Sequence, residues 1–568
     1  MLLEPLPPPS PRAWELLRFP PARAARLAAL NGWIGPALVT LLAGVLRFGH
    51  LGSPRAVVFD ETYYAKDAWS LLRYGYEGTW SAGADVDLLA RPQRIDLSAA
   101  PEFIAHPPVG KWLIALGEAV FGLTPFGWRF VPALLGTLSV LMLCRIGRRL
   151  LRSTWWGALA GLLLTFDGLH FVMSRTALLD IVLMFWVLAA FGCLLIDRDA
   201  FRARLASGDG SGGGAGGGGG WDEAVVSEDE QGSRPWRLAA GVCLGLACGT
   251  KWSGAYSLAA FGLLTVAWDV GAYRAAGAAR PWRVALRRQA VPAFAALVPV
   301  AFATYLASWT GWLVGQGGYA RDWAVGQDLS SIGPLGSWVP APLISLVHYH
   351  QEIWGFHLAL STPHRYQSDP LDWLLLTRPV SYFFRDSAGG SAACRAEGCT
   401  REILALGTPL LWWTALVALG YLLHRLLRRR DWRAGAVLAA VAAGYLPWFL
   451  YQGRTLFSFY TVAFVPFLCL AVAMLLADLA GRPGPALPSP RGADGGAGAG
   501  AGAGAGTGVG RGAGLGASRR SVRWARLTAA GLLTVAVAVN FAWFLPLYTG
   551  QAETVAAWES RIWFDSWI

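Results

Sequence analysis

Lysine is almost missing from this chain: Lys66, Lys111 and Lys251 are its three, against 45 arginines (48 − 3). A bias that strong suggests a GC-rich genome, in which lysine persists where an ammonium is wanted. Charge of either sign is scarce too. At 15% charged and 54% hydrophobic residues, with 29 Trp in 568 residues, the composition excludes a disordered chain and an ordinary soluble domain. Seven cysteines are too few for a disulfide scaffold, and Cys144, Cys193, Cys243, Cys248 and Cys469 fall in or beside apolar stretches as small core residues. No short apolar segment with a cleavage pattern follows the Pro- and Arg-rich start, so residues 1–32 are expected to be a cytoplasmic arm rather than a signal peptide. Basic residues outnumber acidic ones, 48 to 36, but lie mainly in loops between apolar stretches. That placement points to membrane orientation and anionic headgroups, and away from nucleic acid.

What is present is a series of apolar runs of membrane length. Eleven spans are predicted, at roughly 33–50, 128–147, 155–172, 178–196, 236–250, 252–270, 290–313, 405–424, 433–451, 456–478 and 524–547. Threaded from a cytoplasmic N-terminus, they put every strongly basic short loop on one side: Arg145 to Arg152, Arg198 to Arg204, Arg283 to Arg288, Arg425 to Arg433 and Arg519 to Arg523. The chain is therefore predicted to be an all-α polytopic membrane protein of the cell membrane. Its core is 33–480, with two long extracytoplasmic loops at about 52–127 and 314–404. A Gly-rich insertion at about 207–220 and a low-complexity linker at 481–523 read as flexible and cytoplasmic, and 524–568 supplies the last span and an extracytoplasmic tail.

The charges that break the inside-basic pattern are the informative ones. Arg47, Arg129, Arg175, Lys251 and Arg454 all fall on the outer side in apolar surroundings. Each could simply snorkel to the headgroups, but five on one face suggest an anion site. Asp60 and Glu61 open an amphipathic stretch in which Tyr64, Ala68, Leu71 and Leu72 recur at helical spacing and could lie on the headgroups; Asp60 is either a helix cap or a working carboxylate. Asp180 and Arg175, five apart, are read either as a structural pair or as site residues. His348, His350, His357 and His364 cluster in the second loop, but His350 and His357 are seven apart, wider than the usual ligand spacing on a helix, and Pro363 breaks the helix before His364, so no metal is expected there. Cys394 and Cys399 share a polar loop on the oxidising side and are expected to be bridged.

In order along the chain, Phe59-Asp60-Glu61-Thr62-Tyr63-Tyr64, His106-Pro107-Pro108-Val109-Gly110-Lys111, Trp128-Arg129-Phe130, Arg175 with Leu178-Leu179-Asp180, Thr250-Lys251-Trp252-Ser253-Gly254 and Thr362-Pro363-His364-Arg365-Tyr366 resemble the protein O-mannosyltransferases, in particular their actinobacterial branch. The resemblance implies a GT-C glycosyltransferase fold and an inverting transfer of mannose from polyprenyl-phosphate-mannose to Ser or Thr of exported proteins, with the secretion translocon as a further partner. It implies Asp60 as the catalytic base and Glu61 as the residue orienting Arg47 and Arg129. Lys251, Arg129 and Arg175 become candidates for the donor phosphate. Tyr63, Tyr64, His106, Lys111, Asp180, His350, His357 and His364 become candidates for substrate contact, with no metal or other cofactor required. The second loop, at about 90 residues, is too short for the β-trefoil module of the eukaryotic members. A GT-C enzyme with a lipid or polysaccharide acceptor, and a polyprenyl-lipid flippase, are the alternatives; the flippase would be expected to show inverted repeats and mid-bilayer charges.

Overall fold

Backbone polar groups inside a bilayer must bond within their own segment, so apolar runs of this length fold as helices. The structure, a computed structural model, describes residues 21–207, 233–327, 338–387, 398–481 and 512–568. Most of the expected N-terminal arm, nearly all of the Gly-rich insertion, most of the 481–523 linker and Cys394 lie outside the described residues. α1 (Pro21–Phe48) leads into the first long loop, which holds α2 (Glu61–Tyr74), β1 (Gly78–Trp80), β2 (Leu97–Pro101) and α3 (Val109–Phe121). After α4 (Pro125–Leu151) come α5 (Thr154–Thr165), α6 (Gly168–Ser174), α7 (Leu179–Ser207), α8 (Pro235–Cys248), α9 (Gly254–Ala275) and α10 (Pro281–Ser308). The second long loop carries α11 (Ala341–Ala359), β3 (Val380–Ser387) and β4 (Cys399–Ala405). α12 (Pro409–Arg429), α13 (Trp432–Tyr451), α14 (Ser458–Leu479), α15 (Gly512–Thr549), β5 (Glu553–Thr554) and α16 (Val555–Glu559) complete the chain.

All eleven expected stretches are helical. Among the described residues, eight helices are long and apolar enough to cross a membrane by themselves: α4, α7, α9, α10, α12, α13, α14 and the Ala525–Thr549 part of α15. α5 and α6 pass the same test together but are bent by 68°, and Gly32–Phe48 of α1 and all of α8 are shorter apolar helices. The bend has a local cause. Asp167 caps α6, accepting from the His170 N–H at 2.8 Å and from the Trp412 indole at 2.6 Å, so a new helix begins where one straight span was expected. In α14, 78% of the apolar window is buried against protein and in α10 only 22%, which puts α14 at the centre and leaves α10 a face for lipid. At the arginine-rich end, Arg234 and Arg237 grip Asp197 and Asp269, tying α7, α8 and α9 together.

Two expectations about the loops change. The apolar stripe of α2 does not lie on headgroups: Tyr64, Ala65, Ala68 and Leu71 are buried within the protein, and the helix packs against α3. The same face carries Glu61, Asp67 and Ser70, polar groups that find partners or enclosure in protein but not in hydrocarbon. The second loop, expected as a helix and turns, also holds an antiparallel sheet of order β3-β4-β5, with Phe384 opposite Glu402 and Cys399 opposite Thr554. Its register shifts between Ser381 and Phe383, so Tyr382 sits on an irregularity of β3.

Candidate active site

Asp60 is presented by a strained residue. Phe59 has φ 50°, a left-handed conformation unusual for a bulky side chain, and its ring is pinned by stacking on Tyr382 at 4.5 Å with edges of Phe459 and Phe457 at 5.7 and 6.4 Å. Asp60 occupies the N-cap position of α2 but its side chain makes no cap hydrogen bond, and no described donor bonds the carboxylate. The capping role is therefore not filled. Burial pushes the Asp60 carboxyl up to about 6; Lys251 opposes that rise and Asp180 adds to it.

Glu61, next in sequence, is fully engaged. Its carboxylate accepts from Arg129 Nε and Nη2, both at 2.7 Å, from the Val58 N–H at 2.9 Å and from the Ala177 N–H at 3.1 Å. Arg129 spends its remaining donors on the carbonyls of Leu51, Pro54 and Ala56, so it laces the loop before α2 and has no N–H left for a phosphate. Arg175 donates to the carbonyls of Leu46, Arg47, Gly49 and His50, closing the end of α1. The expected pairing of Glu61 with Arg47 does not form. Arg47 lies in the last turn of α1 and points at α6, where it meets His170 Nδ1 at 2.7 Å, and it is fully buried. Arg129 and Arg175, the two arginines expected at the donor phosphate, thus hold the scaffold around Asp60, and so does Arg47.

One cation, Lys251, acts on Asp60 directly, and a second, Arg454, shares the neighbour Tyr460 with it. Lys251 Nζ meets both oxygens of Asp180, at 2.8 and 2.9 Å, and lies 4.5 Å from the centroid of the Tyr460 ring. Asp180 therefore pairs with Lys251 and not with Arg175. Arg454 Nη2 donates to His357 Nδ1 at 3.2 Å, while His357 Nε2 donates to the Ala105 carbonyl at 2.9 Å; the Arg454 Nε is enclosed without a partner among the described residues. These bonds hold His357 neutral, and burial with Arg454 alongside lowers it to about 4. His106 packs between the rings of His357 and Tyr64, 5.2 and 6.4 Å away, and burial followed by Lys251 pushes its pKa well down.

The remaining candidates stand back. Lys111, fully buried, pairs with Glu77 and lies 4.0 Å from Asp67. His350 is bonded to Tyr305 and the Leu346 carbonyl behind Trp252, whose ring it stacks on at 5.7 Å. His364 is exposed at the rim, edge-on to Phe457 at 5.0 Å, and Tyr63 is 59% exposed. Cys399 is disulfide-bonded, and its expected partner Cys394 lies outside the described residues. Among the described residues no three His, Cys, Asp or Glu side chains are grouped to hold a metal ion.

Two features, Tyr460 and the strand around Tyr382, escaped the sequence reading, and a third, Arg454, was read only as one of five outer charges. Arg454 was visible as a lone outer cation but carried no motif. Tyr460 lies inside an apolar span, where nothing marks it. The strand around Tyr382 had a signal, the β-prone run Val380-Ser381-Tyr382-Phe383-Phe384, masked by the helical reading of its surroundings. Tyr256, which donates to the Tyr451 hydroxyl at 2.7 Å and neighbours Arg454, lines a groove of about 660 Å³ between α9 and α13 together with Ala260, Leu263, Leu264, Ala439, Ala442 and Leu446 among others.

Residues 37–204 match the family model described as dolichyl-phosphate-mannose-protein mannosyltransferase, and residues 343–567 match that of the C-terminal four-span region of protein O-mannosyltransferase. The polyprenol-phosphate-mannose–protein mannosyltransferase of Mycobacterium tuberculosis is 38% identical, over 96% of this chain and 94% of that protein. Its counterpart in Mycolicibacterium smegmatis is 37% identical over 97% and 95%. The S. cerevisiae protein O-mannosyltransferase Pmt1-Pmt2 complex, solved bound to the sugar donor, shares the fold with a TM-score of 0.65 at 15% identity, over 96% of this chain and 94% of that one. With full-length relatives above 30% identity and family matches at both ends, the chain belongs to the protein O-mannosyltransferases, multi-pass membrane glycosyltransferases of the GT-C fold.

Proposed function

We propose that the protein transfers mannose from polyprenyl-phosphate-mannose to Ser and Thr hydroxyls of exported proteins, at the outer face of the plasma membrane. The observation that carries this reading is a carboxylate that no described donor bonds, Asp60, with the Lys251 ammonium acting on it and Arg454 beside their common neighbour Tyr460. A Ser or Thr hydroxyl is a weak nucleophile and needs a base within hydrogen-bond reach; Asp60 takes its proton as the oxygen attacks the anomeric carbon. The bond from that carbon to the phosphate oxygen breaks on the opposite side, which inverts the configuration. The electron pair leaves with the polyprenyl phosphate, whose charge Lys251 and Arg454 hold. Asp180 keeps Lys251 in place and His357 aims Arg454, and with these cations supplying the positive charge the reaction is proposed to need no divalent ion. The polyprenyl chain lies in the apolar groove between α9 and α13, whose lining includes Tyr256, a neighbour of Arg454.

The basic short loops support an orientation with the N-terminus and the glycine-rich segments in the cytoplasm. The exported acceptor would then arrive at Asp60 from the secretion translocon. The test is to incubate membranes with labelled polyprenyl-phosphate-mannose and a Thr-containing peptide. Label in the peptide, absent with Asp60→Asn, is expected; label in a glycolipid alone would overturn the reading.

A further inference from the structure

For a displacement at the anomeric carbon, the mannose ring must lie between the acceptor oxygen at Asp60 and the phosphate oxygen held by Lys251 and Arg454. Two tyrosines neighbour both ends of that interval. Tyr64 follows the N-cap residue Asp60 by four positions, one turn along α2, and also has Tyr460 and Asp180, the partner of Lys251, within electrostatic reach. Tyr460 has Asp60, Asp180 and Arg454 within the same reach, and the Lys251 ammonium lies 4.5 Å from the centroid of its ring. Both rings are held in place. Each tyrosine is 8% exposed; Tyr460 stacks on Trp448 at 4.7 Å and meets Phe459 edge-on at 4.9 Å, while Tyr64 packs beside His106 at 6.4 Å. Their hydroxyls are not. Among the described residues neither makes a hydrogen bond, yet neither oxygen is fully enclosed. By contrast, Asp180 gives both its oxygens to Lys251, and Tyr382 donates to Met173 Sδ at 2.9 Å.

Resting on the function proposed above, we infer that Tyr64 and Tyr460 read the sugar, each exchanging a hydrogen bond with one hydroxyl of the mannose ring. A tyrosine hydroxyl both donates and accepts, as a sugar hydroxyl does. Left without a partner at the buried end of its side chain, it costs free energy that phenylalanine in the same place would not, so a tyrosine there calls for a partner that arrives with the substrate. A site built to bond a substrate hydroxyl also rejects a sugar that lacks it, because the protein's own group is then left unpaired. The enzyme thereby selects its donor by the sugar as well as by the lipid phosphate.

The experiment compares wild type, Tyr64→Phe and Tyr460→Phe in transfer to a Thr-containing peptide from polyprenyl-phosphate-mannose and from its 2-, 3-, 4- and 6-deoxy analogues. Each substitution deletes one oxygen and adds no bulk. With the mannose donor, kcat/KM is expected to fall roughly 5- to 50-fold for each variant, and wild type should lose a similar factor with the analogue lacking the hydroxyl that the tyrosine bonds. For that pairing of variant and analogue the two losses should not multiply, the variant falling within about twofold of wild type on the same analogue. Losses that multiply at all four positions would overturn the contact for the tyrosine concerned, as would an unchanged kcat/KM with the mannose donor. Wild type that uses all four deoxy donors as well as mannose would overturn the sugar site without any variant and leave the proposed function standing. No transfer from the mannose donor itself would overturn both.

Discussion

Asp60 holds its charge without the donors that normally stabilise a carboxylate, and that is what a base facing a neutral hydroxyl requires. Asp60→Asn is expected to lower turnover by at least ~10²-fold, the range for a lost general base, while donor binding persists. Near-normal transfer by this variant would remove Asp60 from the role. For the wild type, a base pushed up to about 6 must be ionised to act, so kcat/KM should fall about tenfold per pH unit below that value. The same shift bears on stability. A carboxyl whose folded pKa is raised gains stability from its proton, fully present below the ordinary value near 4 and lost as pH rises through about 6. The Asn variant, which does not titrate, should therefore melt no lower than wild type at pH 4 and higher at pH 7, by on the order of 1–3 kcal/mol. Equal melting differences at the two pH values would contradict this.

At the scale of elements, the loop from Leu51 to Asp60 is held by one buried ion pair whose donors and acceptors are all used. Removing one partner leaves an uncompensated charge in the interior, so Arg129→Leu is expected to destabilise the fold by roughly 3–5 kcal/mol. Thermal unfolding in detergent measures this; a variant with unchanged stability and a changed donor KM would instead return Arg129 to the phosphate. The groove between α9 and α13 gives a different readout. Ala439→Trp fills part of it and should raise KM about tenfold for a long-chain donor but less for a short-chain polyprenyl-phosphate-mannose, since it removes apolar contact along the chain and not at the phosphate. Equal effects on the two donors would place the lipid elsewhere.

For the whole molecule, orientation is the open proposal on which the site's access to exported protein depends. An impermeant maleimide applied to intact cells should label Cys394 and Cys399 only after reduction, because both are expected outside and bridged; Cys399 is already disulfide-bonded in the structure. Labelling that requires lysis would invert the topology. Much of the architecture was legible beforehand for a physical reason: in an apolar run, the backbone's need for internal hydrogen bonds leaves helix as the answer, so all eleven stretches are helical, although among the described residues eight are of span length by themselves. Asp60, Asp180 and Lys251 were legible because a charge in such surroundings is conspicuous. Their partnerships were not. Lys251 meets Asp180 across 71 residues, and Glu61 takes the Ala177 N–H across 116. Arg129 and Arg175 turn to backbone carbonyls, which every residue carries and no motif marks. The sequence by itself determined the membrane class, the helices and the inventory of charges on the active face. The tertiary structure decided which of those charges are bound into the scaffold and which, Asp60 and Arg454 among them, keep atoms free for chemistry, because hydrogen-bond saturation depends on what packing brings within 3 Å.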